Sequence, residues 1–143
     1  MKKIKIKIAT KDKRGNISDI FYKNNIEHVS IINSKKGALR GDHYHKETTQ
    51  AMYMTKGNLR YYYQKINLAG KRIGKVSSIV IKESEVVTTP PYEIHSLEIL
   101  EDNQFIVFSW GKRGGKDYES DTFRVKPSLI PQTKWKKWEQ KSH

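Results

Sequence analysis

The residues able to do chemistry concentrate between Gly37 and Gly57, in the stretch GALRGDHYHKETTQAMYMTKG. His43 and His45 stand two apart, and on an extended strand that spacing puts both imidazoles on one face while Tyr44 points the other way. Two imidazoles on one face suit either metal ligation or paired acid–base work, because neutral imidazole binds divalent ions and titrates near neutral pH. An HxH pair alone is a weak signal, since plain hydrogen bonding produces it as well. A third histidine, His95, alternates with Leu97 and Ile99, which places its ring on an apolar, inward-facing side.

These side chains have to be carried by strands, because period-two alternation dominates the chain and helical periodicity is nearly absent. Ile4, Ile6 and Ile8 are expected on one face of a first strand, with Lys3, Lys5 and Lys7 on the other. His28 to Asn33 and Ala51 to Lys56 read as strands. Asn58 to Ile66 carries Leu59, Tyr61 and Tyr63 on one side. Leu68 to Lys75, with two glycines among lysines, reads as a hairpin turn. Val76 to Ile81, Glu85 to Thr89, His95 to Leu100 and Gln104 to Trp110 continue the series. Gly111 to Tyr118 is a polar, Gly-rich loop without the GxxxxGK[ST] pattern of a phosphate-binding loop. Many short strands separated by turns indicate a sandwich or barrel. We expect an all-β domain over 1–126 and a C-terminal tail over 127–143 with a short helix.

Composition bounds the possibilities. A chain of 143 residues is long enough to bury a core without staples, and the mean hydropathy of -0.79 reflects 28 Lys+Arg rather than missing apolar residues. The absence of cysteine removes disulfides, thiolate nucleophiles and Cys-type zinc sites, so a metal would have to be held by His, carboxylate or amide groups. No stretch approaches the roughly 18 consecutive apolar residues of a membrane span, and the basic first ten residues contain no apolar run of signal-peptide type. The expectation is a cytoplasmic protein without a membrane partner. A net charge of +13 favours anionic partners in general. No recognised nucleic-acid-binding element accompanies it, and most of the lysines read as a solvated outer surface.

The spacing around the histidines resembles that of cupins: a glycine, five residues, HxH, four residues, an acidic residue, six residues and a second glycine. Gly37, His43, His45 and Gly57 fall in register, with Gln50 in the acidic position. A second motif is matched by Pro90 and His95, with Ser84 and Tyr92 where glycines are usual. Arg40-Gly41-Asp42-His43-Tyr44-His45-Lys46 with Gln50 is similar to the RGxHxHKxxxQ signature of cupins that isomerise or epimerise nucleotide-linked 4-keto sugars. Asp117 to Arg124 is similar to a stretch that follows the barrel in the same group. The tyrosine-containing motif expected late in 3,5-epimerases has no match. The resemblance implies a cupin double-stranded β-helix, or jelly-roll barrel, with a short C-terminal extension. It also implies an isomerase or epimerase of surface-polysaccharide biosynthesis, and a homodimer paired through edge strands such as the first.

On that resemblance His43 is the base that removes a proton beside the carbonyl, His45 is its partner or shuttle, and Arg40 is the phosphate or enolate partner. Arg40, Gln50, Tyr53 and Tyr61 are the expected substrate contacts, with ordinary barrel packing the alternative for each tyrosine. The same atoms allow a metal site, with His43, His45 and His95 supplying nitrogens and Gln50 an amide oxygen for Zn, Fe or Ni. Otherwise no cofactor is implied. A metal-dependent cupin of dioxygenase type and a non-catalytic carbohydrate- or anion-binding cupin are the alternative functions. Met52 and Met54 read as core filler, His28 as structural and His143 as terminal.

Overall fold

A computed structural model describes residues 1–111 and 120–141. Except for Gly111, the basic loop expected at Gly111–Tyr118 lies outside the described residues, as do Asp117, Tyr118 and Glu119 of the post-barrel stretch and His143. Among the described residues no helix is long and apolar enough to cross a membrane.

The strands are β1 (Lys2–Lys5), β2 (Ile8–Asp12), β3 (Gly15–Ser18), β4 (His28–Ser34), β5 (Leu39–Tyr44), β6 (Thr49–Lys56), β7 (Leu59–Ile66), β8 (Arg72–Ile81), β9 (Glu85–Thr89), β10 (Glu93–Ile99), β11 (Asn103–Trp110) and β12 (Phe123–Arg124). They form two antiparallel five-stranded sheets, ordered β1-β9-β6-β11-β4 and β12-β5-β10-β7-β8, plus the two-stranded β2-β3. The architecture is the expected all-β double-stranded β-helix. Apart from the β7-β8 hairpin, neighbours in each large sheet are not consecutive in the chain, so the site residues are gathered by non-local pairing.

Alternation along each strand builds the interior. Met52, Met54, Val87, Phe105 and Val107 of the first sheet face Leu59, Tyr61, Ile81, Leu97 and Ile99 of the second, forming one buried cluster. Both methionines fill this core. A second cluster lies on the outer face of the second sheet, where Tyr44, Tyr62, Ile66 and Ile94 are covered by Leu129 and Ile130 of the tail. Burying those two aliphatic side chains contributes about 2 kcal/mol each. The tail ends in helix α1 (Gln132–Lys141), which Lys134 ties back to the sheet through Glu98, 3.1 Å away. Glu98 also accepts the Tyr62 hydroxyl at 3.0 Å, and burial together with that carboxylate pushes the phenol up to about 12.

Two readings of the chain are corrected. The N-terminal alternation does not bury isoleucine. Ile4 and Ile8 are about half exposed, while half-buried Lys3 reaches Glu85 at 3.0 Å. Lys3 is registered against Val87 on the outermost strand of the sheet, and its ammonium reaches diagonally to the Glu85 carboxylate, so this position suits a lysine. The run is also broken after Lys5, and Ile8 belongs to the separate β2-β3 hairpin. The turn read over Leu68–Lys75 is shorter, because β8 already begins at Arg72. Asn67 closes that turn by accepting the backbone N–H groups of Ala69 and Lys71.

The two second-motif positions lacking glycine keep glycine's backbone. Ser84 and Tyr92 have φ of 67° and 59°, the left-handed region that side chains other than glycine enter at a cost of about 1–2 kcal/mol. The fold holds them there with hydrogen bonds from Ser84 N to the Met54 carbonyl and from Tyr92 N to the His45 carbonyl.

Candidate active site

The RGD segment shapes the strand that presents His43. Gly41 has φ of 101°, and a Cβ built on it would lie 2.6 Å from the His95 carbonyl oxygen. Only glycine lets β5 approach β10 that closely. Asp42 follows in the left-handed region with φ of 57°, and the β5–β10 register shifts at the same place, between His95 and Ser96. This bulge re-aims the strand so that His43 pairs with His95. Asp42 is held by the Ser96 hydroxyl and by the backbone N–H of Leu129 at 3.0 Å, so the tail braces the bulge from outside.

The three histidines predicted as a group come together. The His43 and His95 rings are 4.6 Å apart between centroids, His43 and His45 5.1 Å, and His45 and His95 5.4 Å. Their ligand-capable atoms lie within 4.8 Å of one another. His45 Nδ1 donates to the Asp121 carbonyl at 2.7 Å, and His95 Nδ1 donates to the Glu93 carbonyl at 3.2 Å. A neutral ring whose Nδ1 carries the proton has its lone pair on Nε2, so both rings are set as Nε2 bases or ligands. Asp121 is itself fixed by the backbone N–H groups of Lys46, Glu47 and Thr48, at 2.8–2.9 Å. Burial raises its pKa, but those donors outweigh the burial and hold the carboxyl below its ordinary value.

His43 and His95 open into a cavity of about 600 Å³ between the sheets, while His45 is buried beside them and outside its lining. On the second sheet its wall includes His43, His95, Leu97, Arg40 and Arg124; on the first it includes His28, Gln50, Met52, Thr89 and Val107. Arg40 sits exposed at the mouth, its guanidinium donating to the Ser34 hydroxyl at 2.9 Å and the Asn33 carbonyl at 3.2 Å. Gln50 is buried, with its amide nitrogen 3.4 Å from the Ser109 hydroxyl.

Other expected contacts fall elsewhere. Tyr53 alternates with Gln50 and Met52 onto the outer face of β6, so strand parity removes it from the cavity. Tyr61 is fully buried behind the wall. Its ring stacks at 5° to His95 with centroids 6.2 Å apart, and its hydroxyl bonds Thr89 at 2.6 Å and Glu93 at 3.1 Å. Burial first, then the Glu93 carboxylate, push that phenol well above its ordinary pKa, which suits packing and hydrogen bonding rather than proton exchange. Conversely, His28 was read as structural and lines the cavity. Arg124 also lines it, because β12 pairs with β5 and sets Arg124 beside His43. No spacing rule links either residue to the HxH pair; only the strand pairing does.

The donor set fits a divalent ion. Three tetrahedral ligands at about 2.05 Å from zinc lie about 3.3 Å from one another, so nitrogens within 4.8 Å need only side-chain rotation to converge. Backbone carbonyls that accept Nδ1–H are the usual second layer of such ligands. The same arrangement serves proton transfer, with several imidazoles facing a cavity bordered by two arginines.

Residues 10–123 match the family model described as the polysaccharide biosynthesis C-terminal domain. No curated protein matches the chain by sequence. Among solved structures the chain is similar to a dTDP-4-dehydrorhamnose 3,5-epimerase from Sulfolobus tokodaii, at 23% identity and a TM-score of 0.74 over 90% of this chain and 78% of that one. It is similar to a 3,4-ketoisomerase from Thermoanaerobacterium thermosaccharolyticum, solved with TDP, at 21% identity and a TM-score of 0.66 over 94% of both chains. A dTDP-6-deoxy-D-glucose-3,5-epimerase from Legionella pneumophila, solved with dTDP-4-keto-L-rhamnose, aligns at 17% identity and a TM-score of 0.68, over 86% of this chain and 71% of that one. These likenesses establish the cupin fold.

Proposed function

The chain belongs to the polysaccharide biosynthesis C-terminal domain family, and from that membership and its histidine cavity we propose that it isomerises or epimerises a nucleotide-linked 4-keto sugar in surface-polysaccharide biosynthesis. The observation that carries the reading is His43 in a cavity of about 600 Å³ whose lining includes Arg40 and Arg124. A proton beside a ketone is removed by a base with pKa near working pH, which imidazole supplies. His43 is the base, and His45 and His95 stand beside it to relay the proton. Arg40 and Arg124 meet the diphosphate at the mouth, where guanidinium forks match phosphate oxygens. The structural neighbours solved with TDP and with a dTDP-keto sugar support this substrate class.

A second reading of the same cavity is a metal-assisted one, favoured by the convergence of His43, His45 and His95 with Gln50 in the same wall. A bound Zn, Fe or Ni ion would polarise the ketone as a Lewis acid. We read the protein as cytoplasmic. We also read it as a homodimer, and the exposed Ile4, Val29 and Ile31 on the outer face of the first sheet support that state.

The test is solvent exchange. The protein is incubated in D2O with thymidine- and uridine-diphosphate 4-keto-6-deoxy sugars, and deuterium at the carbons flanking the ketone is read by NMR, with metal content measured on the same sample. We expect incorporation by the wild type and its loss in His43→Ala without change in fold. Absence of exchange with every such substrate overturns the proposal. Metal bound stoichiometrically and lost in His95→Ala supports the second reading.

A further inference from the structure

We propose that His28 is the hydrogen-bond donor that stabilises the enolate oxygen, acting from the wall opposite His43; this rests on the keto-sugar reading above. His28 begins β4, and its inward face is set by pairing with Ser109 of β11 in the first sheet, whereas His43 belongs to the second. Both line the one cavity. The His28 Nδ1 is buried and has no hydrogen-bond partner among the described residues. An unpaired buried N–H is costlier and rarer than an under-satisfied acceptor, so the neutral ring carries its proton on Nε2. With Nδ1 shut away, the edge of the ring left to the cavity is the one that bears Nε2–H.

The two walls are therefore chemically complementary. On the second sheet, the Glu93 carbonyl takes the Nδ1–H of His95, which sets the Nε2 of that ring as an acceptor. On the first sheet, His28 offers a proton. Arg40 is engaged with Ser34 and Asn33 at the mouth and is placed for the diphosphate, which leaves the enolate without a cation from that residue. In the step, His43 takes the proton from the carbon beside the ketone. The C–H electron pair becomes the C=C bond, and the carbonyl π pair moves to oxygen. His28 keeps its proton and hydrogen-bonds the new oxyanion. Return of a proton to carbon restores the ketone and the base, so no co-reactant is needed.

The experiment compares wild type, His28→Phe and His28→Gln for deuterium exchange into dTDP-4-keto-6-deoxyglucose, dTDP binding by calorimetry, and melting temperature. Removal of one oxyanion donor slows reactions by about 10²–10³-fold, and that loss is expected for the phenylalanine variant. It should bind dTDP as wild type does and melt no lower, since a buried unpaired nitrogen has been replaced by carbon. The glutamine variant, which restores an N–H, should recover at least about tenfold of the exchange. The assignment is overturned if the phenylalanine variant exchanges within about threefold of wild type. It is equally overturned if exchange falls only together with melting temperature and dTDP binding, which marks a scaffold role. A wild type that exchanges nothing sinks the keto-sugar reading and this one with it; failure in the variants alone sinks only the role of His28.

Discussion

Asp121 is the residue outside the cavity on which the site geometry depends most. Its carboxylate takes the N–H groups of Lys46, Glu47 and Thr48, and its carbonyl takes the Nδ1–H of His45. In Asp121→Asn the amide oxygen can serve two of those donors at most, and its NH2 faces the third. One charge-assisted bond is lost at about 1.5–3 kcal/mol and two become neutral, for a total near 3 kcal/mol. At roughly 3 °C per kcal/mol for a chain of this length, the melting temperature should fall by about 10 °C at pH 7. The pH dependence supplies the check. The folded carboxyl titrates below the ordinary value of an aspartate, so the stabilisation is present above that ordinary value and is lost as pH falls through the lowered folded pKa. Urea midpoints measured from about pH 7 down to pH 3 should show the wild-type advantage at its widest above about pH 5, shrinking below about 4. A variant as stable as wild type at pH 7, or a gap that stays constant down to pH 3, would refute the assignment of this carboxylate as the anchor of residues 46–48.

Gly41→Ala should cost at least about 3 kcal/mol, because its Cβ would meet backbone atoms of His95 and Ser96 at 2.6–2.8 Å and its φ of 101° is strained for any side chain; a urea midpoint within about 1 kcal/mol of wild type would contradict this. Tyr61→Phe should cost about 1–2 kcal/mol by leaving Thr89 and Glu93 short of a partner. With the ring behind the cavity wall, its solvent-exchange rate should stay within about threefold of wild type, and a much larger fall would return Tyr61 to the list of substrate contacts.

The parts of the site written locally in the chain were legible. His43 and His45 share a face because strand parity is a property of neighbours two apart. His95 could be placed inward from its own alternation with Leu97 and Ile99. Residues that reach the cavity through register alone were not legible. His28 faces inward because β4 pairs with β11, and Arg124 because the two-residue β12 lies against His43. Neither pairing leaves a periodic trace around the residue itself. Tyr53 failed by one position of parity within a well-read strand. Which of Lys3 and Ile4 faces inward was not legible either, because alternation gives two faces without saying which one meets the interior. Ser84 and Tyr92 show the opposite case, in which the residue type changed while the backbone demand stayed.

The strand that carries His43 is restrained from both of its faces. Inward, it meets His95 across the bulge made by Gly41 and Asp42. Outward, Tyr44 stacks on Phe123 at 5.5 Å and lies in the cluster closed by Leu129 and Ile130. The Asp42 carboxylate joins the two sides, accepting from Ser96 of β10 and from Leu129 of the tail. A left-handed aspartate persists only where its surroundings over-determine it, and here the surroundings include a segment that lies beyond residues 10–123 of the family match. The tail therefore bears on the site from outside the cavity: it supplies the outer packing that holds the strained backbone from which His43 faces the cavity.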